Sequence, residues 1–390
     1  MGCSLRYYPG GDHGFIALAG HDPTTVVKIP LEPGRTVEDM CVLNNELFFC
    51  GSYQHSAFIG KIDLYSLMAG NPLQGIIYKA FSEEVYSLHR MVVFNDNDFA
   101  HVVALGNSAA SPTFANQLII ECNLQNNLNG NVDLMFPSHT NSREIVDEII
   151  HTDNYVAFVG QLIDSDGVVI HPCPRSSNVL ASFGQCSYYP YPDDATISPF
   201  IGTCLSADSI AVVACLGSRS NNTTEIRLHT FDLACMAMLS HQSVAIGGEK
   251  LIPQELLYYP EQESLILLTP YPFDSPTNTF STFFNLHPFS YSSYNTPGMY
   301  NPRIRYQSID KTFTNSFYAS GGNKWFLYLL ALTFVPTDCY RVVEVDVALK
   351  SLIDPTPLLH IHRSQTIPTN TVAGLYTIEN NTLSIECFQN

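Results

Sequence analysis

Polar side chains, most of them ionisable, recur where successive apolar segments of the chain begin. They comprise carboxylates with one imidazole, one guanidinium and two amides: Glu38, Asp39, His89, Arg90, Asp147, Glu148, Gln254, Glu255 and Asn315. If these segment starts converge, the side chains could bind a cation, polarise a substrate or act as general acid and base. The alternative is a hydrated channel lined by solvated polar groups, and the residue types leave both interpretations open.

Tyrosines form a second candidate site. They are Tyr188, Tyr189 and Tyr191 in SYYPYPDD, Tyr271 in YPFD and Tyr300 near Arg303. A tyrosine presents a flat apolar ring and a polar hydroxyl, which suits sugar rings and protein surfaces. The acidic neighbours Asp193, Asp194 and Asp274 could accept hydrogen bonds from hydroxyl groups. The alternative is that these aromatic rings pack their own loops against the body of the protein.

The elements that must position these residues are repeated hairpins. Val37–Leu64 reads as strand, polar turn, strand ending near Gly, loop and strand, and similar segments begin near residues 37, 88, 146, 198, 252, 313 and 371. The closing glycines Gly51, Gly106, Gly160 and Gly217 are 55, 54 and 57 residues apart. A repeat of this kind predicts one all-β domain over residues 1–390, a seven-bladed β-propeller of four-stranded antiparallel blades.

The last repeat stops after two strands, so the sequence predicts that residues 14–31 complete it. N-terminal strands pairing with the C-terminal blade would close the ring and remove exposed sheet edges. Tight turns at Asn44-Asn45, Asn95–Asp98 and Asn380-Asn381 would lie at one face, because Asn tolerates positive φ. The opposite or top face would carry the long connections, at residues 107–116, 186–199, 271–278, 291–312 and 333–340.

Charge and composition limit the partners. The formal net charge is −18, which repels phosphate backbones and anionic membranes, so no nucleic-acid partner is predicted. Charged residues make up only 14% of the chain, so uncharged polar residues must form much of the surface, as is typical of extracellular proteins. No apolar run reaches the ~20 residues that span a bilayer.

The N-terminus leaves its processing open. Met1–Arg6 lacks the apolar core of a signal peptide, so no signal peptide is evident, and one interpretation is that the chain starts after a removed one. Cys3 would then be the remnant of a lipid-anchored N-terminus, and an exposed thiol is the alternative.

No cofactor, metal or catalytic motif is predicted. The eleven cysteines contain no CxxC pair, and those within strands are expected to be buried free thiols. His360 and His362, on the predicted outer strand of the sixth repeat, would share one strand face, but a third ligand is not evident. The motifs GxSxG, HExxH, GxxxxGK[ST] and GxGxxG are absent from the sequence.

The repeat resembles secreted seven-bladed propellers of unassigned function from envelope and gut-associated bacteria. The resemblance rests on Val37–Met40 and Phe48–Gly51, on Phe58–Gly60 and on the related stretch Ile145–Gly160. It covers nearly the whole chain and implies an exported binding protein, with no catalytic residues to transfer.

The leading hypothesis is therefore an exported, non-catalytic module whose top face binds a glycan or a protein. The rival is a carbohydrate-active or lactone-hydrolysing enzyme with Asp39, Glu148 or Glu255 as acid or base. A third hypothesis is a structural scaffold in the cell envelope.

Overall fold

A computed structural model gives the structure of the chain. It describes residues 4–8, 15–19, 25–30, 34–53, 56–65, 76–80, 85–96, 99–108, 117–124, 132–136, 144–162, 165–176, 178–183, 186–190, 195–218, 223–247, 252–260, 263–270, 278–286, 289–297, 300–307, 312–318, 325–330, 361–365, 370–374 and 379–382. Two compact units share the chain. The first unit contains Met1–Pro137, Ser176–Leu180 and His360–Asn390, and the second contains Ser138–Arg175 and Ala181–Leu359.

Antiparallel β-strands dominate both units, which confirms the predicted all-β class. The first fifteen strands are β1 (Ser4–Tyr8), β2 (Phe15–Ala19), β3 (Thr25–Pro30), β4 (Arg35–Leu43), β5 (Glu46–Tyr53), β6 (Ser56–Asp63), β7 (Ile76–Ala80), β8 (Val85–Asp96), β9 (Phe99–Ser108), β10 (Gln117–Leu124), β11 (Val132–Phe136), β12 (Glu144–His151), β13 (Tyr155–Leu162), β14 (Ser165–Pro174) and β15 (Ser187–Pro190). A 3₁₀ turn, Leu180–Ser182, precedes β15.

The remaining strands continue in chain order. They are β16 (Ala195–Ile197), β17 (Ile201–Ser206), β18 (Ser209–Ser218), β19 (Thr223–Asp232), β20 (Ala237–Gly247), β21 (Glu255–Tyr259), β22 (Ser264–Pro270), β23 (Asn278–Leu286), β24 (Phe289–Pro297), β25 (Tyr300–Gln307), β26 (Thr312–Tyr318), β27 (Trp325–Leu330), β28 (Ile361–Gln365), β29 (Asn370–Gly374) and β30 (Glu379–Thr382).

Three sheets form the first unit. The terminal sheet has the strand order β1-β2-β3-β30, sheet 1 the order β29-β7-β6-β5-β4 and sheet 2 the order β28-β11-β10-β9-β8. Four sheets form the second unit. Sheet 3 has the order β12-β13-β14-β15, sheet 4 the order β16-β18-β19-β20 with β17 also on β18, sheet 5 the order β21-β22-β23-β24 and sheet 6 the order β25-β26-β27.

The two ends of the chain share the terminal sheet, where β3 pairs with β30. The details differ from the sequence-based expectation. Asn380 and Asn381, predicted to form a tight turn, lie in β30 opposite Val27 and Val26, so that prediction is wrong. The segment with Ile361 and His362, predicted at the outer strand of the sixth repeat, is β28 and pairs with β11 of sheet 2. Asn370–Gly374, near the predicted start of the last repeat, pairs with β7 of sheet 1.

Two predicted long connections contain strands. Residues 186–199 include β15 and β16, and residues 291–312 include most of β24 and all of β25. These strands were not predicted from the sequence, because Pro and Ser interrupt the apolar alternation by which a strand is recognised. Tyr300 and Arg303 therefore lie on β25, opposite Tyr318 and Ser316 of β26, and not in a loop.

Apolar side chains between consecutive sheets form the core of each unit. In the first unit, β5 and β6 of sheet 1 pack on β8, β9 and β10 of sheet 2. In the second unit, Ile210, Val212 and Ala214 of sheet 4 face sheet 3, while Ala211, Val213 and Cys215 face sheet 5. A strand buried on both faces has no polar alternation, which explains the continuous apolar run of β18.

The tight turn predicted at Asn44-Asn45 is confirmed. Asn44 has φ 50 and Asn45 has φ 63, and Leu43 pairs with Glu46 across the turn. Two successive residues of positive φ are typical of the type I′ hairpin turn, in which Asn is favoured.

The recurring glycines mark a steric constraint in the first two strands of a repeat. A Cβ atom at Gly51 would lie 1.9 Å from the carbonyl oxygen of Thr36, and one at Gly160 would lie 2.0 Å from that of Ile145. At Gly106 the distance to the carbonyl oxygen of Ser87 would be 2.3 Å. The second strand approaches the backbone of the first strand so closely that only glycine fits there.

Candidate functional site

Six of the predicted polar residues lie at or directly beside a β-bulge, and an equivalent bulge occurs in each of three sheets. The register shifts between Val37 and Asp39 in sheet 1, between Leu88 and Arg90 in sheet 2 and between Val146 and Glu148 in sheet 3. Glu38, His89 and Asp147 are thus the extra residues of equivalent bulges, directly after the residue that faces the recurring glycine. Bulges redirect side chains away from the regular alternation of a strand, so each of these three residues departs from the pattern of its neighbours.

Asp39 connects sheet 1 to sheet 2 in the first unit. Its Oδ1 accepts a hydrogen bond from the amide of Met40 at 2.8 Å, and its Oδ2 accepts one from the amide of Met91 at 2.8 Å. Met91 follows Arg90 on β8, so the structure brings Asp39 to the strand that carries His89 and Arg90. Both carboxylate oxygens of Asp39 therefore accept hydrogen bonds from backbone amides.

Asp147 makes an equivalent connection in the second unit. Its Oδ2 accepts hydrogen bonds from the amide of Phe200 at 3.0 Å and from Nε2 of Gln161 at 3.1 Å. Phe200 directly precedes β17, so this carboxylate joins sheet 3 to sheet 4. The Oε1 of Glu148 accepts a bond from the amide of Ile149 at 3.2 Å, while Glu255 is buried at the start of β21, opposite Leu268.

The bond between Asp39 and Met91 can be tested by substitution. We expect Asp39→Ala to lower the free energy of unfolding by about 1–3 kcal/mol, because the amide of Met91 loses its acceptor. Urea unfolding followed by circular dichroism would measure the change. Glu46→Ala is the matched control, since Glu46 lies on the adjacent strand of sheet 1 and its partly exposed ion pair with Lys61 contributes no more than about 1 kcal/mol. Equal stabilities of the two variants would contradict the bridging role of Asp39.

His89 is a half-buried neutral imidazole. Burial and the neighbouring Arg90 guanidinium lower the pKa of His89 to about 4. At neutral pH the bulge of sheet 2 therefore carries the charge of Arg90 and an uncharged ring.

Two half-buried tyrosines of sheet 3 were predicted as site residues, and the contacts of one of them show how it packs. The hydroxyl of Tyr189 donates to the carbonyl oxygen of Met236 at 3.0 Å, and its ring lies 5.3 Å from that of Phe231. Tyr189 thus packs between sheets 3 and 4, as the packing interpretation of these tyrosines predicts. Tyr188 is half-buried on β15 opposite Val169. Tyr191 and Tyr271 lie outside the described residues.

Two buried histidine–glutamate pairs were missed by sequence reasoning. Nε2 of His101 lies 2.6 Å from Oε1 of Glu121 in sheet 2, and Nε2 of His171 lies 2.6 Å from Oε1 of Glu144 in sheet 3. All four side chains are at most 3% exposed. The signal was available, because a single Glu or His interrupts otherwise apolar strands such as QLIIECNL and GVVIHPC.

Glu121 also fixes the segment before the 3₁₀ turn. Its Oε1 accepts from the amide of Val179 at 2.6 Å and its Oε2 from that of Leu180 at 2.8 Å. In sheet 3, the ring of His171 stacks on Phe183 with centroids 4.1 Å apart and planes at 11°. Side chains so enclosed cannot contact a substrate, so we assign the two pairs to the interior architecture.

Thiols and metal ligands offer no further site in the described ranges. The cysteines there are free, and burial raises the pKa of Cys50, Cys215 and, to about 11, Cys186. No group of three His, Cys, Asp or Glu side chains among the described residues could hold a metal ion. Cys3 and His360 lie outside these ranges.

No protein-family model matches the chain, and a search of curated proteins finds no similar sequence. Within the part of the chain that the structure describes, no helix is long and apolar enough to cross a membrane.

Proposed function

We propose that the chain is an exported, non-catalytic binding module that recognises a glycan or, as the second candidate, a protein. The proposed binding surface is the end of sheet 3 at which β12 begins and β15 ends. We further propose that its seven sheets are the blades of one closed β-propeller domain. The observation that carries the non-catalytic assignment is the use of Asp39 and Asp147 as acceptors for backbone amides of the next sheet.

Three features support the propeller arrangement. Seven antiparallel sheets are present in the described residues, and within each unit they pack in chain order. Strands from the two chain ends share the terminal sheet. The bulge and glycine recur at equivalent positions of sheets 1, 2 and 3, as expected for copies of one unit.

The non-catalytic assignment follows from what a catalytic carboxylate needs. A general acid or base must place an oxygen within hydrogen-bond reach of a substrate. Oδ2 of Asp39 and Oδ2 of Asp147 instead accept from backbone amides that belong to the neighbouring sheet, and Oδ1 of Asp39 accepts from the amide of the next residue, Met40. Such residues hold the framework, and their charges are not free to serve a reacting bond.

The strand pairing supports the choice of this end of sheet 3 as the binding surface. In sheet 3, Glu144 pairs with Leu162 and Leu162 with Ser165, while Gly167 pairs with Pro190. The start of β12 and the end of β15 therefore lie at the same end of sheet 3. The sequence continues from Pro190 into Tyr191-Pro192-Asp193-Asp194. Tyrosine rings beside carboxylates combine the stacking and hydrogen-bonding groups that sugars require.

Export is supported by composition. Only 14% of residues are charged, against roughly 25% in an average domain. A surface rich in Asn, Ser and Thr satisfies hydrogen bonds with water without relying on ion pairs.

A thermal-shift screen against polysaccharide fragments tests the proposal. A fragment at 100 times its Kd should stabilise the protein by about 2.7 kcal/mol. We expect combined Tyr188→Ala, Tyr191→Ala and Tyr271→Ala substitutions to abolish the shift without unfolding the protein. Tyr189→Phe is the matched control and should retain it, because Tyr189 packs between sheets 3 and 4.

The outcomes separate the competing functions. A shift that survives in the triple variant would exclude this surface. Absence of a shift with every fragment would replace the glycan by a protein partner or a scaffold role. Release of reducing sugar, lost in Glu148→Gln or Glu255→Gln, would instead identify a glycosidase and overturn the non-catalytic assignment.

A further inference from the structure

A row of polar side chains, of which two are buried and three half-buried, crosses the outer two strands of sheet 4. Glu225, Arg227 and His229 alternate along β19, while His241 and Ser243 of β20 lie opposite His229 and Arg227. Arg227 is 3% exposed and His229 is 0% exposed. We call these five residues the histidine cluster. In sheet 4, His229 and Arg227 pair with Val212 and Ala214 of β18, so they lie on the face of the sheet that packs against sheet 3.

Within the histidine cluster, one carboxylate accepts hydrogen bonds from the arginine and from one hydroxyl group. Nε of Arg227 donates to Oε1 of Glu225 at 2.8 Å, and the hydroxyl of Ser243 donates to the same oxygen. The two imidazoles lie against each other, with ring centroids 4.6 Å apart. The ring of His229 also stacks on Phe231 at 5.9 Å.

The charge balance of the cluster depends on the imidazoles. With both rings neutral, Arg227 and Glu225 compensate each other. Protonation of both rings would place three cations beside one carboxylate in a partly buried site, where like charges repel more strongly than in water. Burial, followed by the Arg227 charge, lowers the pKa of His241 to about 4. Burial, His241 and Arg227 together lower the pKa of His229 well below its ordinary value.

The other ionisable groups near the cluster do not offset this repulsion. Burial raises the pKa of Tyr189, which reaches this region from β15, so it adds no charge at acid or neutral pH. Asp232 lies at the far end of β19, where its Oδ1 accepts from the amides of Ala234 and Cys235. Among the described residues, Glu225 is therefore the carboxylate available to the imidazoles.

We propose that the histidine cluster is an acid-sensitive switch, in which proton uptake by His229 and His241 releases β20 from β19. In the described part of the chain β20 is the outer strand of sheet 4, and its pairing is to β19. Separation of the two strands exposes both rings to water, where they bind protons near pH 6.5. Because the released state binds more protons, release becomes more favourable as pH falls from about 6.5 towards 4.

Hydrogen–deuterium exchange of the intact protein, read by mass spectrometry on peptides from β20, tests the switch. After correction for intrinsic exchange, we expect wild-type protection of β20 to fall by about 10- to 100-fold between pH 7 and pH 4.5. The double variant H229Q/H241Q should lose less than about threefold, because it has no imidazole to protonate. His229 is fully buried, so the single variant H241Q, at a half-buried position, carries the test if the double variant does not fold.

His151→Gln is the matched control. His151 is a half-buried imidazole beside an arginine, Arg175, in sheet 3 of the same unit. Its removal should leave the pH dependence of β20 unchanged. Protection of β20 that does not change with pH in the wild type, or that falls equally in H241Q, would overturn the proposal.

Discussion

Replacement of Glu121 with alanine is expected to destabilise the protein by about 3–5 kcal/mol. The carboxylate is 2% exposed and accepts from His101, Val179 and Leu180. Its removal leaves two buried backbone amides and an imidazole without an acceptor, and each unsatisfied donor carries a desolvation cost of about 1–3 kcal/mol. Urea unfolding of the variant and the wild type would measure the loss.

Two further variants define the cause. Glu121→Gln retains one acceptor oxygen, so its stability should lie between those of wild type and the alanine variant. Glu46→Ala removes a partly exposed carboxylate that pairs with Lys61 in the same unit, and should cost no more than about 1 kcal/mol. If Glu121→Ala is no more destabilising than Glu46→Ala, Glu121 does not hold the Val179 segment.

The second large effect is expected from Gly160→Ala. Its Cβ would lie 2.0 Å from the carbonyl oxygen of Ile145, and the obstruction is backbone that cannot rotate away. The strands must separate at the bulge, which we expect to cost about 2–4 kcal/mol. Thermal and urea unfolding would show the loss, and Gly51→Ala should behave alike because its geometry is the same.

Gly34→Ala separates steric from conformational cost. A Cβ at Gly34 meets no atom within 4 Å. Its φ of 78° lies in the left-handed region, where a residue other than glycine loses about 1–2 kcal/mol of folding stability. A larger loss at Gly34 than at Gly160 would show that close approach of β12 to β13 is not what selects glycine at the repeat.

Local patterns predicted part of the candidate site. Hairpins with alternating side chains are encoded within about ten residues, so Asn44-Asn45 and the strands around Gly51 could be read directly. The same reading located Glu38, His89 and Asp147 at equivalent positions. It could not show that Asp39 binds the amide of Met91, because that contact joins residues 52 positions apart.

Other elements were misread for identifiable reasons. Tyr300 and Arg303 were assigned to a loop because Pro and Ser surround them, yet β25 pairs with β26. The segments Ile361–Gln365 and Asn370–Gly374 have strand character, but a strand does not specify its partner, and they pair with sheets 2 and 1. Register and partner depend on which edge is accessible in the folded chain.

The sequence by itself determined that this protein is built of antiparallel hairpins, and where the turn at Asn44-Asn45 and the glycines Gly51, Gly106 and Gly160 lie. These features depend on side-chain alternation and backbone conformation, which are local properties. Only the tertiary structure decided which sheets the C-terminal strands join, that Asp39 and Asp147 link neighbouring sheets, and that Glu121 and His229 are enclosed. Hydrogen bonding and burial of a polar side chain are set by residues distant in the chain, so its role follows from the fold that surrounds it.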